Sequence, residues 1–263
     1  MNLETVFPIT LAEIDSSLLY AKTIQNGLLP KKRHFEKISK NYFVLYQPQQ
    51  TIGGDFYWLT QKEDTIYFAL ADCTGHGVSG AMLSVLGISL LNYVIQKNHV
   101  FVGDILTELD KKWIETFNHD VFEQSFNNDW LEITLVAFDK KTRIMQYASA
   151  SGEFAIQQNN TINLLKGNNF PVGGWQIEKN RQFDTYIYTI QENAKLFFYS
   201  DGIKHQFNSS DNKKFGRNQL FNFFHQHHDI PLNKMKHQFE SVFKNWKGQN
   251  KQTDDVSLIG IEF

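Results

Sequence analysis

Apolar residues near the N-terminus recur every three or four positions, as they do along one face of an α-helix. The positions with this spacing are Leu11, Ile14, Leu18, Ala21, Gln25 and Leu28. Gln25 is the one polar residue among them, and the pattern predicts a helix over residues 11–30 that Pro30 ends. The same spacing forms the seam of a coiled coil. This helix is therefore expected either to pack on its own domain or to pair two chains into a homodimer.

After residue 34 the pattern changes to short runs of aromatic and β-branched residues, which are typical of strands. The predicted strands cover residues 42–48, 65–72, 131–139, 143–151, 183–190, 194–202 and 254–263, and residues 154–165 form a hairpin around Asn159 and Asn160. Longer apolar or amphipathic runs predict helices over residues 79–96, 102–117, 215–228 and 232–246. The chain is expected to be α+β, with a helical arm over residues 1–33 and one domain over residues 34–263.

The composition of the chain limits the partners and the cellular compartment that we expect for the protein. The chain has 263 residues, of which 41% are hydrophobic, and this is enough to bury a large core. Its net charge of -2 has no basic excess, so nucleic acid is not an expected partner. Cys73 is the single cysteine, which excludes an internal disulfide and indicates a reducing compartment. With no signal pattern and no apolar stretch near the roughly 18 residues of a membrane span, we expect a soluble cytoplasmic protein without a membrane contact.

Several aspartates share one placement at the boundary of a strand. They are Asp55 after two glycines, Asp72 at the end of the apolar run "IYFALAD", Asp201 in "LFFYSDG", and Asp254 and Asp255 in "TDDVSLIGI". One aspartate at a strand end is usually a turn residue or a helix cap. If the strands lie side by side, however, these carboxylates converge, repel one another and need a proton or a cation. Ligand sets of oxygen alone favour Mg²⁺ or Mn²⁺.

Two such ions can bridge a water, lower its pKa and direct it at phosphorus, so the carboxylates predict hydrolysis of a phosphoester without a covalent enzyme intermediate. Other phosphoryl and acyl chemistries lack their residues. A thiol phosphatase needs an arginine after its cysteine, at the place where Ser79 follows Cys73. The sequence also contains neither the G-x-x-x-x-G-K-[ST] loop of nucleotide triphosphate enzymes nor the G-x-S-x-G turn of acyl transferases.

Five stretches together resemble one family. They are "IQNGLLP", "IGGDFYWL", "ADCTGHGVSGAM", "FFYSDGIKHQF" and "TDDVSLIGI". In this order and spacing they are similar to the SpoIIE/RsbU-type bacterial serine phosphatases, a branch of the metal-dependent PP2C-like (PPM) phosphatases. The resemblance runs from about Ile24 to Phe263. It implies a PP2C-like β-sandwich of two antiparallel sheets that pack face to face and are flanked by α-helices.

The resemblance also implies a site of two or more Mg²⁺ or Mn²⁺ ions. Asp72 would bind both ions, with the backbone carbonyl of Cys73 beside it. Asp201 and Asp254 would hold the second ion, and Asp55 would contact a metal or its water shell. Asp255 is the weaker candidate, because the ligand in the family is usually the first acid of that pair.

The glycine-rich turns around these acids would form the phosphate or substrate loop, through Gly54, Gly75 and Gly77. Gly75 and Gly77 let the backbone turn tightly before a helix whose N-terminus can face an anionic substrate. His76 is a candidate general acid for the serine leaving group. A role in shaping the loop is preferred for His76, because the acid histidine of the wider family sits nearer the aspartate.

The resemblance implies a metal-dependent phosphatase for phosphoserine or phosphothreonine on a regulatory protein, an anti-anti-sigma factor-like (STAS) domain in a partner-switching pathway. Two departures bear on this. The segment Ser149–Glu153 lacks the Asn or His that many relatives carry there, which leaves a catalytically weak binding module as the alternative. The arginine that holds phosphate in the eukaryotic branch has no clear counterpart, which leaves the ions to bind the phosphate alone. A two-metal phosphodiesterase for small molecules is a third interpretation.

Overall fold

The computed structural model of the chain describes residues 10–117, 128–159, 161–174 and 180–263. The helices are α1 (Leu11–Leu28), α2 (Lys32–Phe35), α3 (Gly77–Val94), α4 (Val102–Phe117), α5 (Asp201–His205), α6 (Gly216–Gln226) and α7 (Leu232–Lys247). The strands are β1 (Tyr42–Gln47), β2 (Phe56–Lys62), β3 (Thr65–Cys73), β4 (Trp130–Asp139), β5 (Ile144–Ala150), β6 (Glu153–Gln158), β7 (Thr161–Lys166), β8 (Val172–Gly173), β9 (Tyr186–Thr189), β10 (Lys195–Tyr199) and β11 (Val256–Glu262).

The described strands form two antiparallel sheets. The first has the order β1-β11-β10-β6-β7, and the second has the order β2-β3-β4-β5-β9, with the short β8 paired to β4. Helices flank the sheets: α3 and α4 contact strands of the second sheet, and α7 contacts β1 and β11 of the first. The expectation of an α+β chain with two antiparallel sheets and an N-terminal helix is confirmed.

Strand β10 is buried at every position, and after Lys195 its residues are all aliphatic or aromatic. Phe198 faces the second sheet, where its ring centroid lies 4.6 Å from that of Phe68. The neighbouring Phe197 faces the other way and stacks on Phe224 of α6 at 4.3 Å. Successive residues of a strand point to opposite faces, so a strand that is covered on both faces has no polar alternation. The first sheet therefore lies between the second sheet and the helices α6 and α7.

Helix α3 corrects one expectation from the sequence. Its 18 residues are long and apolar enough to cross a membrane by length and composition, although no such stretch was expected. Half of this window is buried inside the fold, and a single helix of this kind is weak evidence for a membrane span. At Gly87 the helix lies so close to the second sheet that an added Cβ would be 2.8 Å from Cζ of Phe56. The apolar composition of α3 is thus used in packing against β2, β3 and α4.

Most predicted elements are found close to their predicted bounds, and the exceptions are short. Asp201 and Gly202, expected to end a strand, instead begin the five-residue helix α5. Strand β9 covers only four residues of the predicted 183–190. The predicted hairpin of β6 and β7 is present, with Gln158 opposite Thr161, although Asn160 lies outside the described residues. Elements as short as α2 and β8 contain too few residues to show a period.

Helix α1 is attached to the domain through Gln25, its single buried residue. The side-chain Nε2 of Gln25 donates to the carbonyl oxygen of Gly53 at 2.6 Å and to Oγ of Ser84 at 2.9 Å. Its Oε1 accepts a hydrogen bond from the Gly53 N–H at 3.3 Å. The polar residue of the predicted seam therefore contacts the domain of its own chain, while Leu11 at the start of the same seam is 81% exposed.

Replacing Gln25 with Ala should lower the free energy of unfolding by about 1–3 kcal/mol, because buried polar groups of Gly53 and Ser84 lose their partner. Urea unfolding followed by circular dichroism measures this. Asn26→Ala is the matched control, since Asn26 is the next residue of the helix and is exposed; it should stay within about 0.5 kcal/mol of the wild type. Equal stability of the two variants would contradict the attachment.

Candidate functional site

Antiparallel pairing brings the ends of neighbouring strands together, because one strand begins where its partner ends. Phe56 at the start of β2 pairs with Ala71 near the end of β3, so Asp55 and Asp72 are the next residues at this end of the sheet. Asp72 in turn lies opposite Glu132 of β4. In the other sheet, Tyr199 at the end of β10 pairs with Leu258 near the start of β11, and Asp201 and Asp254 extend beyond this pair.

The pKa of Asp72 shows how closely these acids are gathered. Burial raises this pKa well above its ordinary value, and the negative charges of other carboxylates raise it further. Those carboxylates, in decreasing order of effect, are Asp55, Asp201, Asp254 and Glu132. The structure thus brings together the four aspartates that the sequence analysis selected as metal ligands.

Asp55 is the most enclosed member of this group, with no exposed surface. Its Oδ2 accepts a hydrogen bond from the Ser257 hydroxyl at 2.6 Å. Its Oδ1 is buried outside hydrogen-bond geometry with any described donor, although the Ser200 hydroxyl is near enough to lower the pKa of Asp55. Burial and then the charge of Asp255 raise the pKa of Asp55 to about 8. A buried carboxylate oxygen without a donor is costly, and a cation would remove that cost.

Asp201 and Asp254 are partly exposed and lie at the end of the other sheet, after β10 and before β11. Nδ1 of His205 lies 3.1 Å from Oδ2 of Asp201, while Oδ1 of Asp201 is enclosed and has no hydrogen-bond partner. Asp254 Oδ1 accepts the N–H of Asp255 at 2.8 Å. Burial raises the pKa of Asp254, and the charge of Asp201 adds to this shift.

Asp255 has a different function from its neighbour. Its Oδ1 accepts the Gln49 N–H at 2.6 Å, and its Oδ2 accepts the N–H groups of Gly54 at 2.5 Å and Asp55 at 3.2 Å. Both oxygens therefore hold the backbone before β2, and the side chain is almost fully buried. This geometry makes Asp255 the anchor of the Gly53–Asp55 loop, in line with its lower rank as a ligand.

The glycines around the site allow backbone to pack directly on backbone. A Cβ at Gly54 would lie 2.8 Å from the carbonyl oxygen of Gly75 and 2.9 Å from that of Cys73. A Cβ at Gly80 would lie 2.5 Å from the same Gly75 oxygen. Gly75 and Gly77 adopt φ values of 80° and 64°, which only glycine adopts without strain. The predicted role of Gly54, Gly75 and Gly77 in holding phosphate stays a prediction.

His76 and Cys73 flank Asp72 in different environments. His76 is exposed, and its Nδ1 lies 2.9 Å from Nε2 of Gln50; its charge lowers the pKa of Asp254, so the two side chains are near each other. Cys73 is buried in the core, and burial raises the pKa of its thiol well above the ordinary value. A buried neutral thiol is inert. The backbone carbonyl is thus the group of Cys73 that can contribute, and the role of His76 stays open.

Glu132 belongs to the same group of acids and was missed by the sequence analysis. Burial and then the charge of Asp201 raise its pKa to about 7. In the antiparallel pairing of β3 with β4, Glu132 lies directly opposite Asp72. The sequence signal for Glu132 was a charged residue between the apolar Leu131 and Ile133 at the start of a strand. Its closeness to Asp72 depends on the register of β3 and β4, which the sequence does not show.

These residues fit hard divalent ions by their chemistry. The donors are carboxylate oxygens, two of which are buried without a hydrogen-bond partner, and their charges repel. In the described residues no group of three or more His, Cys, Asp or Glu side chains is arranged to hold an ion by itself. Mg²⁺ commonly keeps several waters and binds only one or two carboxylates, so a sparse set of protein ligands suits it. Asp55, Asp72, Asp201 and Asp254 are the side chains that could hold such ions.

Replacing Asp72 with Asn should raise the free energy of unfolding in EDTA at pH 7.5, because burial and the neighbouring acids raise the pKa of Asp72 above that of the unfolded chain. At this pH the unfolded carboxyl is ionised, while the folded protein must either bind a proton there or hold a charge beside other acids. Urea unfolding measures the change, and the exposed Asp15→Asn is the control. A variant that is less stable than the wild type would contradict the proposed repulsion.

The chain can be compared with known proteins. Residues 62–263 match the family model of stage II sporulation protein E (SpoIIE). The phosphoserine phosphatase RsbU of Bacillus subtilis (strain 168) is 23% identical over 197 residues, which are 73% of this chain and 54% of RsbU. The chain thus spans about half the length of this curated relative.

Solved structures share the fold. The SiaA-PP2C domain of Pseudomonas aeruginosa has a TM-score of 0.84 at 22% identity, over 96% of this chain and 98% of that one. RsbX in complex with magnesium has a TM-score of 0.55 at 13% identity, over 84% of this chain and 94% of that one. These matches confirm the PP2C-like sandwich that the sequence motifs implied. The chain belongs to the SpoIIE family, and its fold is PP2C-like.

Proposed function

We propose that this protein is a divalent-metal-dependent phosphatase that hydrolyses phosphoserine or phosphothreonine on a regulatory protein. The observation that carries the proposal is the convergence of Asp55, Asp72, Asp201 and Asp254, with two buried carboxylate oxygens that lack a partner. Membership of the SpoIIE family and the name of the relative RsbU, a phosphoserine phosphatase, support the reaction class.

The proposed division of roles follows the positions of the acids. Asp72 lies among acids from the ends of both sheets and would hold two ions, with the Cys73 carbonyl beside it. Asp201 and Asp254 would hold the second ion. Asp55 would contact an ion or its waters from inside the domain. Two or more Mg²⁺ or Mn²⁺ ions, when bound, lower the pKa of an attacking water and neutralise charge on the phosphoryl oxygens. Magnesium in the related RsbX structure supports this choice of metal.

The residues of the chain would prepare this reaction in two ways. The carboxylates of Asp55 and Asp201 each offer a buried oxygen outside hydrogen-bond geometry with any described donor. Asp255 accepts the backbone N–H groups of Gln49, Gly54 and Asp55, so the loop before β2 is fixed before any ligand binds. Preorganised ligands of this kind avoid a reorganisation cost at the moment of reaction. His76, exposed beside Asp254, is retained as a candidate general acid for the leaving serine oxygen.

The substrate that we propose is a phosphorylated STAS-like, anti-anti-sigma factor-like domain in the cytoplasm. Its support is the similarity to RsbU and the sequence motifs. We assign residues 34–263 to the phosphatase domain and residues 1–33 to an arm with the helix α1. We also propose that residues 11–30 pair two chains, because Leu11, Ile14 and Leu28 on the predicted seam are exposed.

The wild-type protein should hydrolyse p-nitrophenyl phosphate and a phosphoserine peptide with Mn²⁺ or Mg²⁺, and should lose this activity in EDTA. Asp72→Asn and Asp201→Asn should each lower kcat by about 100-fold or more, because each removes a carboxylate that would hold the ions that neutralise charge on the phosphoryl oxygens. Release of inorganic phosphate measures the rate. Asp229→Asn is the matched control, since Asp229 is exposed between α6 and α7, and it should retain the wild-type rate.

Wild-type rates in Asp72→Asn, or activity that is unaffected by EDTA, would contradict the proposed mechanism. Absence of turnover with every metal, together with binding of a phosphorylated STAS domain, would instead favour the binding module. Cleavage of a phosphodiester such as bis-p-nitrophenyl phosphate in preference to the phosphoserine peptide would favour the phosphodiesterase.

Light scattering should find a dimer for the wild type and a monomer for the double variant Leu11→Glu/Ile14→Glu, because charges on the seam prevent an apolar contact between helices. This variant leaves Gln25 in place. Tyr20→Glu is the matched control, because Tyr20 is 70% exposed and points away from the seam by helical spacing. A wild-type monomer, or a dimer that persists in the double variant, would contradict pairing through residues 11–30.

A further inference from the structure

A small cavity beside the candidate metal ligands has a cationic residue in an otherwise acidic wall. The charged side chains that line it are Asp72, Glu132, Glu153, Asp201 and Lys204. Lys204 is thus the one Lys or Arg among the lining residues, as far as the described ranges extend. A substrate phosphate is an anion, so four acids in the wall repel it unless cations compensate them.

The position of Lys204 follows from α5. Lys204 comes three residues after Asp201, so the two side chains lie on the same side of this short helix. Its Nζ lies 3.0 Å from Oε1 of Glu153 and 5.8 Å from the centroid of the Tyr199 ring. The positive charge of Lys204 also lowers the pKa of Glu132, against the effect of burial. The ammonium group is therefore within electrostatic reach of both Glu153 and the acid opposite Asp72.

Glu153 does not fully neutralise the charge of Lys204, because the Glu153 carboxylate is already paired with Arg217. Nε of Arg217 lies 3.1 Å from Oε1 of Glu153, and Nη2 lies 2.6 Å from Oε2, which is a bidentate pair. Nζ of Lys166 lies 3.7 Å from Oε2. One carboxylate thus faces three cations. The bond to Glu153 uses one N–H of Lys204, and an ammonium has three donors.

We propose that Lys204 binds the phosphoryl group of the substrate, through Nζ–H donation to a phosphoryl oxygen that the reaction does not break. Glu153 and its partner Arg217 keep the ammonium at the cavity wall. This inference rests on the proposed function and extends it, because the sequence analysis left the ions to bind the phosphate alone. The residue differs from the arginine of the eukaryotic branch in type and comes from the segment after Asp201.

The segment Ser149–Glu153, which departs from the Asn or His of many relatives, is part of this arrangement. Ser151, Gly152 and Glu153 line the cavity. Ser149 is buried, and its Oγ lies 2.9 Å from Oγ1 of Thr134. The segment therefore supplies the acid that holds Lys204, and its altered sequence is compatible with phosphate binding rather than with loss of it.

Isothermal titration of inorganic phosphate into the Mg²⁺-loaded full chain tests the proposal. Lys204→Gln should raise the Kd for phosphate about tenfold or more, as expected for a lost hydrogen bond between charged groups. Lys204→Arg should stay within about threefold of the wild type, because it keeps the positive charge and offers N–H donors. Lys166→Gln is the matched control; it also removes a cation near Glu153, but Lys166 does not line the cavity, so its Kd should change less than about twofold.

The proposal is overturned if Lys204→Gln binds phosphate as tightly as the wild type, if Lys166→Gln weakens binding equally, or if the loaded wild type binds no phosphate. A Mg²⁺ titration of Lys204→Gln without phosphate should match the wild type, and a weakened Mg²⁺ affinity would also overturn it. Turnover of a phosphoserine peptide by the wild type reports separately on the proposed function. Wild-type turnover with an unchanged Kd in Lys204→Gln would therefore reject the phosphate contact and keep the phosphatase.

Discussion

Mutual repulsion of carboxylates at the shared end of two sheets is the constraint on which the arrangement depends. The charges of four acids raise the pKa of Asp72, and these are Asp55, Asp201, Asp254 and Glu132. The charge of Asp201 also raises the pKa of Glu132. Burial adds to the energetic cost of this repulsion, because it disfavours the charged form of each acid. The free energy of this cluster must be offset by the remainder of the fold, and protein stability is commonly lower where a site is built for function.

Packing in the core and hydrogen bonds to the loops both hold these acids in place. Aromatic stacking across the sheets, as between Phe68 and Phe198, fixes the two sheets against each other. The loop before β2 is held from two sides, since Asp255 accepts its N–H groups and Gln25 contacts Gly53. Backbone contact between Gly54 and Gly75 closes the arrangement. The N-terminal helix and the acids are thus joined by a continuous set of direct contacts.

The sequence predicted the α+β class, most strands and helices, and the four aspartates that converge, because period and strand boundaries are local properties. It could not predict which acids face one another, since Glu132 meets Asp72 only through the register of β3 and β4. Lys204 was overlooked for the same reason: its role depends on Glu153 and Arg217, which are 51 and 13 residues away in the chain. The helical start at Asp201 was missed because α5 is too short to show a period. In α3, an apolar run that is half buried in the fold has the length and composition of a membrane span.

Anomalous diffraction from a crystal soaked in Mn²⁺ shows whether the gathered carboxylates hold divalent cations. We expect anomalous peaks among Asp72, Asp201 and Asp254, with Asp55 in contact with an ion or its waters. Peaks should be absent from an Asp72→Asn crystal treated in the same way. Saturating Mn²⁺ that leaves this region of the wild type without a peak would contradict the proposed ion binding, and so would ions bound only elsewhere on the chain.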